Sequence, residues 1–157
     1  MLTVTNKQID ELIKKAKSHP RKRAFIALHN PEDGVLKLIN ALEKETYVLP
    51  HKHENPERKE LFIALRGKLL AILFNDEGDI TASTTIGVNE PTLMIEIPAN
   101  TWHTLVALED SSVVIEVIKG PYNDETHKTF APWAPLESDE SALHYKKTLL
   151  QQINKSS

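Results

Sequence analysis

Between Arg21 and Lys119 the chain is cut into short apolar runs by turn residues, and this texture constrains the fold more than any other feature. The runs are Ala24-Phe25-Ile26-Ala27-Leu28, Glu60-Leu61-Phe62-Ile63-Ala64-Leu65, Leu69-Leu70-Ala71-Ile72-Leu73-Phe74, Leu93-Met94-Ile95-Glu96-Ile97 and Val113-Val114-Ile115-Glu116-Val117. They favour β-branched and aromatic residues, which fit a pleated surface. Asn30-Pro31-Glu32-Asp33-Gly34, Arg66-Gly67-Lys68, Asn75-Asp76-Glu77-Gly78-Asp79 and Pro98-Ala99-Asn100 separate them. Many short strands at regular spacing predict an antiparallel sandwich or barrel, not β-α-β units.

The flanks read differently. Residues 5–19 predict a helix: Thr5 and Gln8 stand in the relation of a capping box, and Ile9, Leu12, Ile13 and Ala16 recur on one face. Pro20 stops that pattern, since it cannot extend the hydrogen-bond ladder. Residues 120–136 are rich in proline and aromatics and predict an extended tail packed over the barrel. A last helix is expected over 138–153, capped by Ser138, with Ala142, Tyr145, Leu149 and Ile153 on one face. No linker divides the chain, so residues 1–157 are expected to form a single domain, a length that supports one proper core.

Composition excludes more than it assigns. The formal net charge of −3 gives no basic face for nucleic acid. The absence of cysteine removes disulfides, thiolate metal sites and cysteine nucleophiles, and fits a cytoplasmic protein. No stretch approaches the ~20 apolar residues that span a bilayer, and the first residues lack the basic-then-apolar order of a secretory signal.

The histidines carry the chemistry. His51-Lys52-His53 follows the strand-like Tyr47-Val48-Leu49-Pro50, and alternation points both rings the same way. Glu60 follows a polar loop and can add a carboxylate. His103 comes far downstream, after Pro98-Ala99-Asn100-Thr101-Trp102, where a turn can return a strand to the same point. A lone His-x-His is usually surface, but the combined pattern with Glu60, Gly67 and Pro98-x-Asn100-x-x-His103 is more specific.

That pattern resembles the two signature motifs of the cupin superfamily: His-x-His, a spacer, Glu, six residues and Gly, then Pro-x-Gly-x-x-His. Two departures stand out. The spacer from His53 to Glu60 is six residues rather than three or four, and Asn100 replaces a glycine. Asn also tolerates the left-handed backbone. Ser18-His19-Pro20-Arg21-Lys22-Arg23, Thr46 to His53, Leu65-Arg66-Gly67, Ile97 to Thr104, Lys119-Gly120-Pro121-Tyr122 and Lys128 to Pro135 are similar to the WbuC-type cupin-fold metalloproteins. The likeness spans about residues 18–136. It implies a mainly β fold, a jelly-roll barrel (double-stranded β-helix), and an association with bacterial surface polysaccharide (O-antigen) gene clusters.

Three imidazoles and a carboxylate suit one divalent transition metal, whether Fe, Mn, Ni, Co or Zn. His51, His53, Glu60 and His103 are the expected ligands, leaving positions open for water or substrate. Glu60 is also a catalytic candidate. By alternation Tyr47 shares the face of His51, and Arg66 that of Glu60 if no bulge intervenes. Tyr47 can donate a hydrogen bond or act as an acid, or simply pack. Arg66 can hold a carboxylate or phosphate, or be a surface charge. Trp102 can support the His103 loop or stack on a sugar, though packing is its commoner role. His29 can reach the site or cap its own turn. His19, His127 and His144 read as surface, and Phe130 and Trp133 as a barrel plug or dimer contact.

Three functions fit a small-molecule ligand at such a site. One is a metal-dependent enzyme on a sugar or sugar-nucleotide, another an Fe(II) oxygenase, the third a non-catalytic sensor cupin. A homodimer is expected, through the N-terminal helix, the edge near residues 22–29 or the aromatic tail.

Overall fold

The structure, a computed structural model, describes residues 1–156. It opens with helix α1 (Asn6–Ser18). Thr5 Oγ1 accepts from the Gln8 N–H at 3.3 Å while Gln8 Oε1 accepts from the Thr5 N–H at 2.9 Å, so the capping box is complete. Ile9, Leu12, Ile13 and Ala16 are its buried face. Each large aliphatic side chain there contributes about 1.5–3 kcal/mol on burial.

Among the described residues ten strands follow: β1 (Arg23–Ala27), β2 (Val35–Leu42), β3 (His51–Lys52), β4 (Glu60–Arg66), β5 (Lys68–Phe74), β6 (Ile80–Gly87), β7 (Met94–Ile97), β8 (Trp102–Ala107), β9 (Ser112–Lys119) and β10 (Thr129–Phe130). They form two five-stranded sheets, ordered β1-β2-β9-β4-β7 and β10-β3-β8-β5-β6, with every strand pair antiparallel. This is the two-sheet cupin architecture that the strand spacing and motifs predict.

The apolar residues sort into three clusters, and the sorting explains the strand patterns. Phe62, Ala64, Ile97 and Val114 of the first sheet meet Leu69, Ala71, Ile86, Leu105 and Ala107 of the second, filling the space between the sheets. Helix α1 covers the outer face of the first sheet through Ile39, Ala41 and Val113. The outer face of the second sheet, Leu70, Ile72, Phe74, Trp102 and Val106, is covered by the tail and by helix α2 (Ala142–Ser156). β5 and β8 are therefore buried on both faces and read as continuous apolar runs rather than alternating ones.

Some boundaries differ from expectation. α2 begins at Ala142, because Leu136 to Ser141 form turns first: the Asp139 N–H donates to Leu136 O and the Ala142 N–H to Asp139 O, both at 3.0 Å. Ser138 is thus not the cap, although Ala142, Tyr145, Leu149 and Ile153 do form the packed face. β2 and β6 are strands that no apolar run singled out. Lys37 and Asn40 interrupt β2, and in β6 the exposed Thr81, Ser83 and Thr84 break up any apolar run. Tyr47 to Pro50 is extended without strand pairing, and the ladder begins only at His51.

Candidate metal centre

Both sheets contribute to one point. β3 and β8 pair so that His51 stands directly opposite His103 in the second sheet. Glu60 opens β4 in the first sheet, with its side chain on the same inner face as Phe62 and Ala64. His53 lies just past β3, and its carbonyl accepts the Arg58 N–H at 3.3 Å and the Asn100 N–H at 3.2 Å. Those bonds tie the first motif's loop to the second motif's turn. Asn100 sits at φ 56°, the left-handed conformation that a glycine would otherwise supply.

The four side chains bring one ligand atom each to within 4.8 Å of one another, and all four residues are buried. Each imidazole is aimed by its other nitrogen. Nδ1 of His51 lies 3.0 Å from Leu49 O, that of His53 2.5 Å from His127 O, and that of His103 2.8 Å from Thr101 O. A carbonyl only accepts, so each Nδ1 carries a proton; the Nε2 of His51 is left with a lone pair, and those of His53 and His103, turned to Glu60 Oε2, can donate a proton to it or, without that proton, ligate a cation. Glu60 Oε2 lies 2.8 Å from His103 Nε2 and 3.3 Å from His53 Nε2, whereas His51 Nε2 is buried without a hydrogen-bond partner among the described residues. Converging lone pairs beside a carboxylate fit a divalent cation with nitrogen and oxygen ligands, and carbonyl-anchored imidazoles are the usual second layer of such sites.

The electrostatics agree. Burial, then the charge of Lys128, hold His51 well below its ordinary pKa, so it stays a neutral base. Burial alone would raise the Glu60 carboxyl, but hydrogen bonds to His103 and His53 outweigh it and set the group well below the usual carboxylate range.

His51, Glu60 and His103 line a cavity of about 390 Å³ between the sheets, and several other side chains line it with them. Glu116 on β9 faces inward beside Glu60 and accepts a hydrogen bond from Asn40 Nδ2 at 2.9 Å. Burial and the neighbouring Glu60 charge push its carboxyl up to about 8. A charged residue at an inward position of an apolar strand was the available signal for Glu116, whereas Asn40 sat in a strand that sequence patterning missed.

His127 corrects a sequence expectation: it is buried, not on the surface. Its ring lies 5.1 Å from that of His53, and its Nδ1 accepts from Arg58 Nη1 at 3.2 Å. Burial, then Lys128 and the neighbouring cationic groups, bring its pKa down to about 4. The segment from Tyr122 to Phe130 crosses the cavity mouth, and the sequence gives it no periodicity that would announce that position.

Two candidate residues are not at the centre. The register of β4 against β9 shifts between Ala64 and Arg66, and this bulge turns Arg66 outward to an exposed ion pair with Asp10 at 2.8 Å. Tyr47 packs outside the second sheet, donating its hydroxyl to Pro135 O at 3.0 Å and meeting Tyr145 edge-on. Trp102 also packs there, with its Nε1–H on Asp76 at 2.8 Å and Trp133 against its ring. His29 Nδ1 lies 2.8 Å from Lys37 O, capping its own hairpin. Phe130 is exposed at the cavity rim, 6.3 Å from the His51 ring.

A family model described as Domain of unknown function (DUF6016) matches residues 4–86, over half of the chain, which belongs to that family. Among curated proteins none matches its sequence. Solved structures share the cupin fold at low identity. KdgF from Halomonas sp. is 22% identical, covering 69% of this chain and 86% of its own, with a TM-score of 0.50. The capsular polysaccharide assembling protein CapF from Staphylococcus aureus is 17% identical with a TM-score of 0.60; the match covers 71% of this chain but 32% of CapF. Oxalate oxidase in complex with glycolate is 17% identical with a TM-score of 0.57, covering 74% of this chain and 58% of that one.

Proposed function

We propose that this DUF6016 member is a WbuC-like, metal-dependent cupin enzyme acting on a small sugar or sugar-nucleotide of bacterial surface-polysaccharide metabolism. The observation that carries the reading is the set of three imidazoles, each fixed by a backbone carbonyl so that its Nε2 converges with the Glu60 carboxylate. His51, His53, His103 and Glu60 would hold one divalent transition metal. When bound, such an ion supplies Lewis-acid polarisation of a carbonyl or hydroxyl oxygen. In this reading the chain works as a homodimer of single-domain cupins in the cytoplasm; among the described residues no helix is long and apolar enough to cross a membrane.

The cavity's own groups favour turnover over sensing. Glu116, whose carboxyl burial and the Glu60 charge push upward, lines the cavity with His51, Glu60 and His103, so it can protonate an oxygen of a bound molecule. Lys128 can hold a negative group there, and Phe62, Leu105 and Val114 keep the lining apolar, which strengthens both effects. CapF, a capsular polysaccharide assembling protein of the same fold, supports the polysaccharide setting.

Metal analysis of the purified protein beside His51→Ala tests this. Stoichiometric metal in the wild type, lost in the variant, supports the site. Iron together with Fe(II)-dependent oxygen consumption would replace the Lewis-acid reading with an oxygenase. No metal in either sample would overturn it.

A further inference from the structure

Among the charged groups that line the cavity, Lys128 is distinguished by having no carboxylate within ion-pair distance among the described residues. It lies between the buried His127 and strand β10, and its charge is felt by His51, Glu60, Glu116 and His127. The other rim charges balance one another. Arg21 and Arg23 are both held by Glu137, at 2.7 and 2.5 Å, and Asp124 takes a hydrogen bond from Tyr122. Two positive and two negative groups therefore cancel at the mouth.

The interior does not balance. Imidazoles ligate as neutral bases. Among the lining groups, Lys128 and a divalent ion against Glu60 and an ionised Glu116 leave one positive charge, and a protonated Glu116 leaves two; the buried Arg58 behind His127 adds another. Apolar walls from Leu38, Phe62, Leu105 and Val114 raise the energy of that imbalance, because charge is poorly screened there. A neutral sugar leaves that net charge uncompensated. An anion compensates it, and a cavity of about 390 Å³ is near the small end of ligand sites.

We infer that the site selects a small carboxylate over a neutral molecule of the same size, with the carboxylate paired to Lys128. This rests on the metal-centred reading above and narrows its substrate class. Lys128 is here the residue that determines specificity for charge.

The test compares two probes with one carbon skeleton, lactate and propane-1,2-diol, titrated calorimetrically to about 10 mM into metal-loaded protein. The wild type should bind lactate at least about tenfold more tightly than the diol. Lys128→Ala should lose about tenfold in lactate affinity while keeping its metal, and Lys128→Arg should recover part of the loss. Equal binding of the two probes, absence of heat with lactate, or unchanged lactate affinity in Lys128→Ala would each overturn the inference. Metal content is measured in every sample. A wild type without metal defeats the metal-centred reading itself, whereas a metal-loaded wild type without charge preference defeats this inference alone.

Discussion

The main-chain carbonyl of His127 receives the Nδ1–H of His53 at 2.5 Å, so a loop 74 residues downstream sets the direction of a proposed metal ligand. That loop is held in turn by Arg58, whose buried guanidinium donates to His127 Nδ1 at 3.2 Å. Outer partners of this kind typically change metal affinity by 10–100-fold. Arg58→Met and His127→Ala should each weaken metal binding by about tenfold. Because both break the same contact, the double variant should be no worse than either single one. Competition against a chelator measures this, and a wild-type affinity in Arg58→Met would remove the bracing role.

The four proposed ligands should not be equivalent. His51→Ala and His103→Ala each remove a nitrogen whose ring is already anchored, and each should lose most of the bound metal. Glu60→Gln keeps an oxygen in place and should weaken binding less. The three apolar clusters contain none of these residues, so chelation should leave the circular dichroism spectrum intact. Full metal retention in His103→Ala would discount the arrangement, and unfolding on chelation would show that the cores do not suffice.

How much of this was legible in the sequence depends on whether the signal was local. The capping box of α1, the His-x-His pair and the left-handed Asn100 are short-range patterns, and each is realised where the sequence placed it. Arg66 was misplaced because alternation assumes an unbroken ladder, and a bulge near Leu65 leaves no mark in residue type. Tyr47 was misplaced for a related reason: the chain before His51 is extended but unpaired, so strand parity does not carry across it. Glu116, His127 and Lys128 reach the cavity through strand pairing and a loop crossing, which are long-range facts of topology.

Glu137 makes a pH prediction away from the centre. Burial would raise its carboxyl, but hydrogen bonds and charges from Arg21 and Arg23 outweigh that and lower its pKa below 4.5. The native state therefore binds fewer protons than the unfolded state in the window below 4.5, and stability there rises with pH. The contribution is present above the unfolded value and is lost as pH falls through the folded one. Glu137→Gln should cost about 1 kcal/mol at neutral pH, with a smaller difference from wild type below about pH 4. Urea unfolding at several pH values reads this directly, and a pH-independent difference would show that packing rather than charge is at work.

Asn100 allows the turn that delivers His103 to be tested by backbone conformation alone. Its φ of 56° is costly for a side chain with a Cβ, and its N–H reaches His53 O at 3.2 Å. Asn100→Gly should leave stability close to wild type, since glycine adopts this region freely though at some cost in unfolded-state entropy. Asn100→Ala should cost about 1–2 kcal/mol, the penalty for placing an ordinary residue in the left-handed region. Asn100→Val should cost more, because branching at Cβ adds a clash. If the turn sets the position of His103, metal affinity should fall in the same order as stability. An alanine variant as stable as wild type would show that the turn relaxes to a right-handed form at no cost, and would separate the position of His103 from Asn100.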